Sequence, residues 1–282
     1  MTRTEIKAPA KINIGLYVTG KRQDGYHNIE TIFYPINLFD KIEIEDSDQF
    51  QFISSDKSLP QDGSNIIVHS KKLLEEYSGK QLNYKIYLEK NIPVGAGLGG
   101  GSSDAGAVLN ELNRIAGLNL SEQEIFNLAF KLGSDVPFFL NPQPSFAEGR
   151  GEILKPLKFN IGLPVLIVNP GINISTVWAY SQIKPTAIQF DLRKIDAPDN
   201  SRLKLFSEQI KNDFENVVFE KYPVIKEIKI HHYKLGAIFS LMSGSGSSVF
   251  GIYPDEESAL KAAGVMGEMD CFVFIHNEKN SE

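Results

Sequence analysis

Residues 92–106 read IPVGAGLGGGSSDAG, with six glycines and two serines in fifteen positions. Glycine loses the most backbone entropy on folding, so strand and helix interiors seldom hold so many. The flanks show what the run is for. Residues 82–89 read as a strand. After the run, Ala105, Val108, Leu109, Leu112, Ile115 and Ala116 keep helical spacing, and Gly117 suits the stop. A strand, a glycine-rich turn and a helix N-terminus together make an anion site. Unpaired N–H groups converge there, the helix dipole adds positive potential, and absent side chains let a phosphate reach the backbone. Ser102 and Ser103 add hydroxyls, either of which suits an ion such as Mg2+. A flexible linker is the other reading, but linkers do not usually join a strand to an amphipathic helix.

Two familiar phosphate loops do not fit. Gly95, Gly97 and Gly100 match G-x-G-x-x-G, yet the following region, GLNLSEQEIFNLAF, is a turn and a helix. A dinucleotide site calls there for a strand ending in an acidic residue, about 20 positions on. A Walker loop fails because Gly101 stands where its lysine belongs.

Further out, KINIGLYV (11–18) alternates. Ile12, Ile14, Leu16 and Val18 share one side; Lys11, Asn13, Gly15 and Tyr17 share the other. Residues 66–77 read as a helix, and Ser121 with Glu124 forms a capping box that opens another, through about Leu132. Beyond Arg150 the order is a buried strand at 164–170, a helix near 175–183, a polar stretch at 184–201 and helical patterns at 202–218 and 223–235. Strands at 237–242 and 247–253, a helix at 255–266 and the strand CFVFI follow. Without the helical insertion this is β-α-β-β-α-β, a ferredoxin-like order. The domain boundary falls near 150–160.

Composition excludes several classes. The 282 residues suit one large domain or two ordinary ones, and 42% hydrophobic with 23% charged residues is typical of a soluble globular protein. No apolar run is long enough for a membrane span, and the charged, alternating N-terminus is not a signal peptide. Cys271 is the only cysteine, which rules out an internal disulfide and favours a reducing, cytoplasmic location. The net charge of −6 without a basic stripe argues against nucleic acid as partner. The five histidines miss zinc-ligand spacings, and adjacent His231 and His232, whose side chains diverge, read as structural. No obligate protein partner is evident.

PVGAGLGGGSS resembles the second motif of the GHMP small-molecule kinases, whose loop wraps the ATP triphosphate without a Walker lysine. APAKINIGLYVTGKRQDGYHNIETIFYPINL resembles their N-terminal, lysine-bearing strand motif, and SLMSGSGSSVFGIY their third, glycine-rich one. The three span nearly the whole chain in the family's order. AKINIGLYVTGKRQDGYHNI, GLGGGSSDAG and GSDVPFF narrow the resemblance to the branch that phosphorylates the 2-hydroxyl of a CDP-linked methylerythritol in the non-mevalonate route to isoprenoid precursors. The fold implied is α+β in two domains: an N-terminal α/β ATP-binding domain over 1–155 and a ferredoxin-like C-terminal domain over 156–282. The resemblance implies ATP as donor, Mg2+ with it, and a small-molecule CDP-linked substrate.

The resemblance also assigns residues. Around ATP it places Pro93, Val94, Gly95, Ala96, Gly97, Leu98, Gly99, Gly100, Gly101, Ser102 and Ser103, with Ser103 a possible Mg2+ contact. Asn65, by residue type an N-cap, lies near the adenine in the family, and Lys90 near the nucleotide. Asp135, which on its own suits a helix cap, falls at the motif of the family's catalytic aspartate, where a carboxylate accepts or orients the hydroxyl proton. Lys11 could be an ordinary surface lysine, but its face shows Asn13 and Gly15, a small polar set like the wall of a site; it matches the lysine that in the family pairs with that aspartate and stabilises the moving phosphoryl group. QDGYHN reads as a hairpin turn, but the family uses Tyr26 as a stacking face and His27 as hydrogen-bonder for the cytosine, with Tyr180 opposite, where relatives commonly have phenylalanine. Trp178 is a nearby competitor that core packing explains. Asn13, Thr176, Gly244 and Gly246 fall on the substrate side; SGSG at 243–246 reads equally as a plain hairpin turn. A homoserine- or mevalonate-type kinase would share the loops but has no need of a cytosine clamp. A non-catalytic nucleotide-binding protein could dispense with Lys11 or Asp135.

Overall fold

The computed structural model describes residues 3–185, 188, 190–197 and 199–277, so within the polar stretch 184–201 residues 186, 187, 189 and 198 lie outside the described residues. The chain divides into two units. One comprises residues 1–10, 38–92 and 99–142; the other comprises 11–37, 93–98 and 143–282. The long strands β1 (Arg3–Lys21) and β2 (His27–Asp46) pair with each other and are divided between the units.

In the first unit, β3 (Gln51–Ser54) runs parallel to β4 (Tyr84–Glu89), and β4 runs antiparallel to β2 with Ile42 opposite Leu88 and Ile44 opposite Ile86. Helices α1 (Ile66–Ser78), α2 (Gly100–Ile115) and α3 (Glu122–Leu132) supply the other side of the core. The apolar stripe expected after the glycines is buried as spaced: Ala105, Val108, Leu109 and Leu112 have no exposed surface. They pack with Ile42, Ile86, Leu74 and Leu128. Asn65 caps α1 and Ser121 caps α3 with a complete capping box.

In the second unit, β5 (Ser145–Glu148) pairs with the early part of β2, Ile32 opposite Phe146, and β6 (Ile153–Pro156) pairs with β5. A separate antiparallel sheet contains β7 (Val165–Asn169), β8 (Phe239–Met242), β9 (Val249–Ile252) and β10 (Phe272–His276) in the order β10-β7-β9-β8. That is the ferredoxin-like arrangement expected from the element order. Between β7 and β8 lie α4 (Thr176–Gln182), α5 (Ser201–Phe206), α6 (Phe214–Lys221) and α7 (Pro223–Lys234); α8 (Glu256–Gly267) precedes β10.

One local expectation needs correction. The single helical pattern at 202–218 is broken between α5 and α6, because Lys211 and Asp213 hydrogen-bond the backbone of Leu16 in β1. Asn212 donates to the carbonyls of Met242 and Gly244, which holds the break in place. Both sides of the alternating KINIGLYV are covered: Lys11, Asn13 and Tyr17 are buried along with Ile12 and Ile14. His232 is buried as a structural residue and accepts or donates at Nδ1 to the Tyr253 hydroxyl, 3.1 Å away, while His231 is half-buried.

Candidate active site

Within the second unit, β1, residues 93–98 and the turn after β8 meet. Lysine is rarely buried, and Lys11 is only 4% exposed. Its backbone N–H donates to the Leu98 carbonyl. Its ammonium donates to Asn13 Oδ1 at 2.5 Å and reaches the Gly97 carbonyl at 3.4 Å, with the Phe33 ring 5.0 Å from it. Asn13 is held in turn by Thr31, whose hydroxyl donates to the Gly15 carbonyl. Ser243 Oγ donates to the Gly97 carbonyl and accepts from the Asn13 N–H, and the Ser248 N–H donates to the Ala96 carbonyl. The turn SGSG is therefore tied to the glycine run and to the lysine-bearing strand, beyond what a plain hairpin turn requires. Gly97 has φ +76°, and a Cβ there would collide with the Ser243 carbonyl, so glycine is needed for close approach of two backbones. Gly244 and Gly246 also have positive φ, and Gly244 lies against Asn13 and Gly97.

Aromatic residues of the same unit gather at the turn after β1 and on α4. His27 stacks on Tyr180, ring centroids 5.0 Å apart and 21° from parallel, and Phe214 meets Tyr180 edge-on. Tyr26 is half exposed and carries the Arg150 guanidinium 3.5 Å over its ring. Burial, aided by Lys21, moves the His27 pKa below its usual value. Thr176 Oγ1 lies 3.2 Å from Ser245 Oγ. Trp178 packs on the core and meets Tyr222 edge-on, the role expected of it.

In the first unit, Gly99 precedes α2 with φ +74° and no side-chain cap, so no capping side chain takes the first N–H groups of the helix. Gly101 is exposed, and a Cβ there would meet only Ile66, 3.9 Å away. Gly100 differs. A Cβ on it would lie 2.8 Å from Lys90 Nζ and 3.0 Å from Ile92, so protein rather than phosphate fills that space. Lys90 itself is buried between Asp40 and Asp104. Asn65 donates to the Pro60 carbonyl and accepts from the Ile67 N–H, which uses both ends of its amide. Ser103 is fully buried, and its Oγ has no hydrogen-bond partner among the described residues. Asp135 is half-buried and precedes the 3-10 turn Val136–Leu140, but makes no side-chain capping bond, so the cap reading does not account for it.

Thr31, Ser243, Asp40, Asp104 and Arg150 belong to these clusters and are not found by sequence motif reading alone. Ser243 and Asp104 sit inside motif stretches. Asp40 is one of five carboxylates in β2, and residue type does not set it apart.

Family models match twice: GHMP kinases N terminal domain over residues 65–142 and GHMP kinases C terminal over 192–269. A 4-diphosphocytidyl-2-C-methyl-D-erythritol kinase of Prosthecochloris aestuarii is 41% identical, covering 93% of each chain. The enzyme of that name from Bacteroides fragilis is 45% identical, over 89% of this chain and 93% of the relative. A crystal structure of 4-(cytidine 5'-diphospho)-2C-methyl-D-erythritol kinase superposes with a TM-score of 0.83 at 33% identity, over 97% of this chain and 98% of the other. A homoserine kinase from Cytophaga hutchinsonii superposes with a TM-score of 0.69 at 18% identity, over 96% of this chain and 95% of the other, a likeness of fold.

Proposed function

The chain belongs to the GHMP kinase family, and from that premise we propose how its own residues carry the transfer. It phosphorylates 4-diphosphocytidyl-2-C-methyl-D-erythritol in isoprenoid biosynthesis, with ATP as the donor that a kinase of this family implies. The acceptor is the 2-hydroxyl, and the protein works in the cytoplasm. Residues 1–155 form the ATP-binding domain and 156–282 the ferredoxin-like C-terminal domain.

Phosphoryl transfer demands positioning and charge neutralisation more than covalent chemistry. Residues 93–103, which include the uncapped start of α2, bind the triphosphate of ATP. Open space at Gly101 suits a phosphate oxygen. Among the described residues no group of three or more histidine, cysteine, aspartate or glutamate side chains could hold a metal ion. A Mg2+ would therefore take most of its ligands from the phosphates, and the unpartnered Ser103 hydroxyl is the protein oxygen that fits it. When bound, the ion would neutralise phosphate charge.

Asp135 accepts or orients the proton of the attacking hydroxyl. Lys11 stabilises charge on the moving phosphoryl group. Its geometry is the observation that carries the assignment: a buried ammonium aimed at Asn13 and at the Gly97 carbonyl of the glycine run. Tyr26, His27 and Tyr180 recognise the cytosine, and Asn13, Thr176, Gly244 and Gly246 line the substrate side. Asn65 supports the nucleotide site through the backbone at Pro60 and Ile67, and Lys90 through the carboxylates of Asp40 and Asp104. An ATP-consumption assay with the CDP-alcohol, homoserine and mevalonate tests this reading. Turnover confined to the CDP-alcohol is expected; turnover of homoserine or mevalonate alone would overturn it.

A further inference from the structure

The glycine run is closed at its base by a buried ionic cluster. Asp40 Oδ1 accepts from the N–H groups of Asn91 at 2.6 Å and Ile92 at 2.9 Å, where β4 gives way to the loop. Its other oxygen accepts from the Lys90 ammonium. The same ammonium pairs with Asp104 Oδ2 at 3.2 Å, in the second turn of α2. The Lys90 and Asp40 side chains are 5% and 0% exposed, and that of Asp104 is 2% exposed. The Lys90 ammonium also lies directly against Gly100, the first residue of α2. Entry and exit of the loop are thus fastened to one charge.

Two carboxylates on one ammonium in a dry site are costly to build. A buried pair is weak evidence for stability, since its desolvation offsets most of its attraction. Asp104 Oδ1 even lacks a hydrogen-bond partner among the described residues. Burial moves the Asp104 carboxyl well up from its usual range, and Asp40 adds to that while Lys90 opposes it. An apolar trio would fill the same space with less penalty, but could not fix two backbone N–H groups and a helix at once.

We propose that Asp40, Lys90 and Asp104 form a clasp that sets the shape of the phosphate loop, as positioning residues for ATP and not ligands of it. The proposal rests on the loop being the triphosphate site. Losing the clasp lets α2 and residues 91–92 drift apart, and an anion site of backbone N–H groups tolerates little drift.

Four variants of the full chain test it, each assayed for KM of ATP, kcat, KM of the CDP-alcohol and thermal midpoint. Asp104→Ala and Lys90→Met should raise KM for ATP by about tenfold or more, with KM for the CDP-alcohol at saturating ATP within about twofold of wild type. Asp104→Asn keeps an acceptor for Lys90 and should restore KM for ATP to within about threefold. Gly101→Val, which touches no clasp residue, should raise KM for ATP if the loop holds the triphosphate. If Asp104→Ala lowers only the thermal midpoint while Gly101→Val still weakens ATP, the clasp is structural and the proposal fails alone. If neither variant changes KM for ATP, the loop assignment fails and the proposal falls with it. Should Lys90→Met not fold, the alanine and asparagine pair at Asp104 decides the matter.

Discussion

His27 lies flat on Tyr180, with 5.0 Å between ring centroids. A base inserted between two rings needs two contact distances, about 7 Å in all. Cytosine therefore does not fit between these two as they stand. His27 instead covers one face of Tyr180 and offers its ring edge for hydrogen bonding, and Tyr26 holds its exposed ring beneath Arg150. His27→Ala is expected to remove both the stack and the hydrogen-bonding edge. KM for the CDP-alcohol should rise by about tenfold, with ATP binding unchanged. The lowered His27 pKa adds a pH signature. KM for the CDP-alcohol should stay level from mildly alkaline pH down through 6.5, the unperturbed histidine value, and rise only below it as the imidazole gains a proton. His27→Gln should flatten that rise. Equal damage to ATP binding in both variants would assign the rings to the donor instead.

Lys11 is expected to matter for the chemical step. Lys11→Met keeps most of the buried volume beside Phe33 but removes the charge. A loss of about 10²–10³ in kcat with small changes in both KM values is predicted, the range for losing one preorganised charge donor. Near-normal kcat in the folded variant would make Lys11 a structural ion held by Asn13.

Asp135 supplies a separate test. Asp135→Asn preserves shape and removes the proton acceptor. Turnover should fall by about 10²–10⁴ while ATP affinity, measured by direct titration, holds. Weakened ATP affinity at normal kcat would move Asp135 away from the acceptor hydroxyl.

Local patterns were the legible part of this protein. The capping box at Ser121, the stripe from Ala105 to Leu112 and the β-α-β-β-α-β order each depend on neighbours in sequence, and all appear as read. What stays hidden is decided by partners far along the chain. That Lys90 takes the space beside Gly100 cannot be read from the loop. The helical periodicity of 202–218 is genuine, but cannot reveal that Asn212 binds two carbonyls at 242 and 244. The small polar face of Lys11, Asn13 and Gly15 hints at a site wall, but alternation says nothing of what covers it. Asp40 and Lys90 are 50 residues apart, and residue type alone gives no sign that they pair.

The acid stability of the fold should depend on His232. Its ring is fully buried on α7 beside Tyr253, and burial holds its pKa at about 3, against 6.5 for a free imidazole. Between these values the unfolded chain binds a proton that the folded chain refuses. Stability is therefore undiminished by this group above pH 6.5 and declines as pH falls toward about 3. The slope is about 1.4 kcal/mol per pH unit for one proton. His232→Gln retains a polar group for the Tyr253 hydroxyl and does not titrate. Its stability at neutral pH should drop, since the smaller side chain packs less well against Gly251. Its urea-unfolding free energy should nevertheless depend less steeply on pH, by about one proton. Parallel slopes for the two proteins across that window would show that His232 is protonated in the folded state and that carboxylates elsewhere cause the acid loss.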